Sequence, residues 1–196
     1  VCEMSDAAGT LWLDVAKRDW SDALLAATGL TRAHMPSLIE GPQVSGQLTA
    51  AAARELGLTA GIPVAGGAGD NAASAIGIGA VKAGDSFVSL GTSGVLFSVT
   101  DRHRPNVGEA VHAFCHALPG VWHQMAVMLS AASALTWVTR ATGQASEGEL
   151  LAKAATLSAA ERDAAPIFLP YLSGERTPHN DATASGVFVG LRNAHA

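Results

Sequence analysis

Gly66-Gly67-Ala68-Gly69-Asp70-Asn71-Ala72-Ala73 is the stretch on which the reading of this chain turns. An apolar run, 62–65, leads into it, and small residues with helical spacing follow. The pattern is a buried strand passing through a glycine-rich turn into a helix. A carboxylate and an amide stand side by side at that junction, and three readings fit them. Asp70 could cap the helix, accepting from the free N–H groups of its first turn. Gly67, Gly69 and Ala72 also satisfy G-x-G-x-x-A, the dinucleotide fingerprint. Against that, Asp70 would set negative charge where a pyrophosphate needs positive potential. The next strand also leads into a hairpin, whereas a βαβ unit leads into another helix. In the third reading the turn lifts a carboxylate to the mouth of a sheet, where it orients a substrate hydroxyl and takes its proton. Asn71 beside it offers a donor and an acceptor to a neighbouring hydroxyl, as polyol recognition requires.

A second stretch, Ser89–Leu96 (SLGTSGVL), joins two alternating apolar runs and reads as a hairpin turn. Its glycine-freed N–H groups and the hydroxyls of Thr92 and Ser93 could equally cradle a phosphate. No lysine accompanies them, which excludes a Walker A loop.

Around these two motifs the chain predicts further elements. Residues 5–10 read as a turn, 11–15 as a strand, and 19–27 as a helix closed by Gly29. A helix over 49–56 has Thr49 as cap and Gly57 as stop. Up to Gly61 only one strand is clear. Beyond it, 64–65 reads as a buried strand, 71–77 as a helix, and 110–117 with 121–127 as a strand pair around Pro119-Gly120. Helices are expected over 130–142 and 147–157, and strands over 166–172 and 186–191. Hairpin strands followed by helices imply a mixed sheet, α/β in class.

Composition narrows the function. The chain has 196 residues, 48% of them hydrophobic, enough for a core. A net charge of −5 argues against nucleic acid or a membrane surface as partner. No apolar run is long enough to span a bilayer, and the first residues lack a signal-peptide pattern. Cys2 and Cys115, far apart, suggest reduced thiols and a cytoplasmic setting. Position 1 is not Met, and the abrupt opening leads us to expect a piece of a longer protein.

His112, Cys115, His116 and His123 cluster in sequence. On a strand, four residues span about 13 Å, so His112 and His116 could not share one ion. Packed histidines are expected, with no metal site. Trp12, Trp20, Trp122 and Trp137 are too scattered for a base-stacking platform and read as core anchors. The loop 173–180 (SGERTPHN) reads as a solvated surface loop or as the rim of a cleft.

Taken together, GGAGDNAASAIGIG (66–79), FVSLGTSGVLF (87–97), FLPYLSGERTPHN (168–180) and GVFVGL (186–191) resemble the FGGY-type carbohydrate kinases. The likeness runs from MSDAAGTLWLDVAKRDW (4–20) onward, in order. It implies a ribonuclease-H-like, actin-like ATPase fold of two lobes hinged about a cleft. Residues 1–61 would be the tail of the first, sugar-binding lobe, and 62–196 the opening half of the second, ATP-binding lobe. Asp70 matches the family's catalytic base and Asn71 a sugar contact. Gly91, Thr92 and Ser93 match a phosphate motif, and Ala132 and Thr136 a helix lining the nucleotide site. The resemblance implies ATP with Mg²⁺ as cofactors and a sugar as substrate, xylulose ahead of gluconate, ribulose or glycerol. A homodimer at full length is one arrangement open to it, and the residues do not fix the oligomeric state. The family's first phosphate loop and adenosine segment have no counterpart in these residues, so this stretch alone is expected to be inactive. A non-catalytic protein, either a standalone binding lobe or a degenerate homologue, is the alternative.

Overall fold

Glu3 ends a two-residue strand, β1 (Cys2–Glu3), and its carboxylate accepts from the N–H groups of Ser5 and Asp6, capping helix α1 (Met4–Ala7). The computed structural model describes residues 1–195. The turn expected from Ser5 therefore begins later, with Gly9 and Thr10 N–H donating to Asp6 and Ala7 carbonyls. The cap lies upstream of the residues that suggested a turn. Strands β2 (Leu13–Asp14) and β3 (Asp19–Trp20) pair antiparallel. Asp19 and Trp20 thus belong to a strand, and helix α2 (Asp22–Ala27) starts after Ser21, whose hydroxyl caps it. Strand β4 (Leu38–Ile39) lies parallel to β1. Strand β5 (Val44–Gln47) pairs antiparallel with β6 (Pro63–Ala65). Between them, helix α3 (Ala50–Leu56) has Thr49 as cap and ends at Gly57, φ 67°, as its residues foretold.

The single strand expected before Gly61 is thus replaced by five short ones. Strands of two to four residues are too brief to show alternation. Strand β6, expected to be buried, is exposed along its length.

Helix α4 (Asp70–Ile78) and strands β7 (Ser86–Leu90) and β8 (Gly94–Thr100) follow. Strands β9 (His112–Cys115) and β10 (Trp122–Met128) pair antiparallel, with His123 opposite Phe114, and the sheet order is β7-β8-β10-β9. The chain then forms helices α5 (Ala132–Ala141), α6 (Glu147–Ala155) and α7 (Ala159–Asp163), the last an unforeseen turn with a Ser158–Glu161 capping box. Strands β11 (Ile167–Leu169) and β12 (Val187–Val189) pair antiparallel. The mixed α/β class holds.

By contacts the chain forms two units. One comprises 1–87, 97–105 and 112–125; the other comprises 88–96, 106–111 and 126–195. The first has its core in Met4, Ala7, Leu13, Trp20, Leu25 and Cys115. Trp20 donates to the Pro36 carbonyl and Trp122 to that of Val15. These indoles bury an apolar body and keep a hydrogen bond, as core anchors should. In the second unit an aromatic ladder runs Trp137–Phe168–Phe188, with centroids 5.6 and 4.4 Å apart. Trp137 is 41% exposed, so it lies on the surface rather than in the core. The loop 173–180 is anchored here. Glu175, 3% exposed, accepts from Leu129 N–H, and Thr177 accepts from Val127 N–H while donating to the Ala110 carbonyl. It is not a freely solvated loop. Among the described residues no helix is long and apolar enough to cross a membrane.

Arg18 locks the first unit. It sits at φ 55°, grips Glu40 through Nε and Nη2 at 3.0 and 2.6 Å, donates to the Val121 carbonyl, and lies 5.3 Å from the Trp122 ring centre. Both side chains are largely buried, at 12% and 19% exposed. Removing one partner of such a pair strands the other charge in a low-dielectric setting. We expect Arg18→Met to cost about 3 kcal/mol of unfolding free energy in a denaturant titration. Arg18→Met/Glu40→Met should cost less than the sum of the single variants.

Candidate functional site

The loop before Asp70 packs backbone against backbone. Gly66 and Gly67 N–H groups donate to the Gln43 and Gly41 carbonyls at 2.8 and 3.1 Å. A Cβ on Gly66 would stand 2.7 Å from the Glu40 carbonyl oxygen, and one on Gly41 would stand 2.5 Å from that of Ala117. Only glycine permits such an approach. The turn then delivers Gly69 as cap residue of α4 and Asp70 as its first residue. Asp70 is therefore not the helix cap, and the capping reading is set aside. One of its oxygens, Oδ1, accepts from the Asn71 backbone N–H at 2.7 Å and from Asn71 Nδ2 at 3.1 Å. The other, Oδ2, has no hydrogen bond among the described residues. A carboxylate with one oxygen secured and the other open can accept a proton or orient a hydroxyl. Its negative charge at the helix start also opposes a dinucleotide pyrophosphate there.

Asp70 and Asn71 border a cavity of about 420 Å³ whose other polar edges are Ser5, Asp6 and His123. By their local sequence Ser5 and Asp6 are turn residues. No local signal could pair them with Asp70, since 64 residues separate Ser5 from Gly69. His123 was read as a packed histidine, and it is packed, 2% exposed and stacked on Phe97 at 4.2 Å. Neither ring nitrogen has a partner, and burial, then His116 beside it, pushes its pKa down to about 3. His116 is also buried, donating to or accepting from its surroundings at the Ala80 carbonyl and Leu118 N–H. Because the Ala80 oxygen can only accept, Nε2 carries the proton and Nδ1 accepts from Leu118. Among the described residues no three His, Cys, Asp or Glu could hold a metal.

The second motif lies in the other unit. The Thr92 carbonyl accepts from Ala131 N–H and the Ser133 hydroxyl, each at 2.9 Å, and the Gly91 carbonyl accepts from Ala132 N–H. The hairpin turn thereby caps α5, which has no side-chain cap of its own. Thr92, Ala132 and Thr136 line a cavity of about 560 Å³, as does Arg140 one turn further on. Ser130 and Ser173 add hydroxyls there. Gly91 and Ser93 do not line it; Gly91 N–H closes the turn onto the Ser93 carbonyl. Arg140 and the two serines escaped sequence reading because helix register and the 173–180 loop bring them together.

The model of the FGGY family of carbohydrate kinases, N-terminal domain, matches residues 1–77, and that of the C-terminal domain matches 86–196. The chain belongs to the FGGY family of carbohydrate kinases. It is 55% identical over 194 residues to xylulose kinase of Klebsiella pneumoniae and 53% identical to that of Escherichia coli strain K12. Each alignment covers 98% of this chain and 39% of the relative. Among solved structures, a xylulose kinase from Brucella ovis superposes with a TM-score of 0.87 at 52% identity, over 98% of this chain and 39% of that one. A gluconate kinase from Lactobacillus acidophilus gives 0.89 at 26% identity, over 100% and 39%. The fold is that of these actin-like sugar kinases, and the chain spans 39% of the length of the curated relatives it matches.

His123 carries a pH consequence. Its folded pKa lies below its ordinary 6.5, so the stability it allows is complete above pH 6.5 and is lost as pH falls toward 3. Between pH 6.5 and 4.5 unfolding free energy should drop by about 2 kcal/mol, the slope approaching about 1.4 kcal/mol per pH unit below pH 6. His123→Phe, which keeps the stack on Phe97, should remove most of that slope in denaturant titrations at each pH.

Proposed function

We propose that this chain forms part of an ATP-dependent kinase that phosphorylates a sugar hydroxyl, converting D-xylulose to D-xylulose 5-phosphate. The observation that carries the reading is Asp70, with Oδ1 secured by Asn71 and Oδ2 open beside the cavity. In this reading Asp70 takes the proton of the attacking hydroxyl as that oxygen bonds to the γ-phosphorus and ADP leaves. Asn71 holds a neighbouring hydroxyl. Phosphoryl transfer rests on positioning and charge stabilisation, so one aimed carboxylate goes far. The identity of 53–55% to xylulose kinases favours xylulose over gluconate.

The nucleotide phosphates are assigned to the cavity of Thr92, Ala132 and Thr136, whose hydroxyls and the Arg140 guanidinium suit anionic oxygens. Gly91 and Ser93 shape the turn rather than touch the ligand. Mg²⁺ would enter with the nucleotide, neutralising phosphate charge. In the whole protein, 1–61 is assigned to the end of the first lobe and the rest to the start of the second.

Asp70→Asn in the full-length enzyme should lower kcat about 10³-fold with the ATP KM unchanged. A purely structural Asp70 would lower the melting temperature and leave turnover per folded molecule intact. The 196-residue chain alone should form no xylulose 5-phosphate from xylulose and Mg-ATP. Product from that preparation would overturn the assignment of essential parts to the remainder of the enzyme.

A further inference from the structure

We propose that Ser5, held by Glu3, is the positioning residue of the Asp70 base; this rests on the reading of Asp70 given above. The N–H of Gly69 donates to Ser5 Oγ at 2.9 Å, and the Ser5 hydroxyl donates to Glu3 Oε2. The direction of this chain is forced. A backbone N–H can only donate, a carboxylate can only accept, and a hydroxyl has one proton and two lone pairs. The Glu3 charge polarises the hydroxyl and strengthens its acceptance from Gly69.

The anchor is held through one carboxylate oxygen, the other, Oε1, being buried without a partner. Glu3 Oε2 is also pinned by the Ser5 and Asp6 N–H groups at 2.9 and 3.2 Å. Glu3 and Ser5 are 7% and 6% exposed, and Met4 and Ala7 of the same short helix lie in the core. At the other end, Gly69 caps α4 with no side chain to fix the helix start. A Cβ on Gly69 would meet Ser5 Oγ at 3.6 Å, an ordinary contact, so the hydrogen bond rather than steric confinement holds this residue. Asp70 is the next residue, and Ser5 lines the cavity that Asp70 borders. Losing the bond frees the first residue of α4 to move relative to a ligand in that cavity. Misplacement by about 1 Å can cost about 10²-fold in rate.

The test uses the full-length enzyme with xylulose and Mg-ATP. Ser5→Ala should lower kcat about 10- to 100-fold, with the ATP KM unchanged. Ser5→Cys, made in parallel because it keeps side-chain volume while weakening the acceptor, should shift the same way. Ser5→Thr should restore kcat to within about fivefold of wild type. In an Asp70→Asn background, Ser5→Ala should add no further loss, since it acts through that carboxylate. The inference is overturned if Asp70→Asn is crippled while both Ser5→Ala and Ser5→Cys turn over normally, or if the Ser5→Ala loss persists in full without Asp70. An Asp70→Asn enzyme with unchanged kcat would overturn the base assignment itself.

Discussion

Direct packing of backbone on backbone, where residues 66–67 meet 40–41, is the constraint on which the first candidate site rests. At about van der Waals separation there is no room for a Cβ, so the contact is written in glycine. Its consequence is directional. Once Gly66 and Gly67 have spent their N–H groups on Gln43 and Gly41, the chain has one way to leave, and it leaves as the first turn of α4. The Gly69 bond to Ser5 trims the remaining freedom. A carboxylate with one oxygen held and one open then follows from position rather than from any property of Asp70 itself.

The second site obeys a related logic with the roles reversed. A helix beginning Ala131-Ala132 has no side chain to satisfy its first N–H groups. The carbonyls of Gly91 and Thr92 supply them, so the hairpin turn and the helix hold each other in register. The Thr92 side chain is thereby fixed at the edge of a cavity whose remaining polar groups come from α5 and from the 173–180 loop. That loop is in turn fastened by the buried Glu175. In both sites backbone groups do the fixing and side chains are left free to face a ligand.

Chemistry in such a fold is set beside buried groups that tolerate little change of charge. His123 and His116 lie against each other, 6.0 Å between ring centres, in a region too dry to protonate readily. Arg18 and Glu40 lie largely buried, and each supplies the opposite charge the other needs there. The sheet carrying His123 borders the Asp70 cavity, so acid stability and site integrity share the same residues.

The residues alone determined the two chemical motifs, the hairpins around 91–93 and 119–120, the α3 helix with its Thr49 and Gly57 ends, and the α/β class. Each depends on neighbours within a few positions: a cap, a stop, an alternation. The tertiary structure decided what no short window contains. It turned Ser5 and Asp6 from turn residues into the wall of a cavity and made Gly69, not Asp70, the cap. It left Gly91 and Ser93 outside the lining of the Thr92 cavity and placed Arg140 in it. Strands of two residues and contacts across 64 positions leave no periodic trace. They form because the folded chain must satisfy its buried backbone groups, and it takes partners wherever the packing brings them.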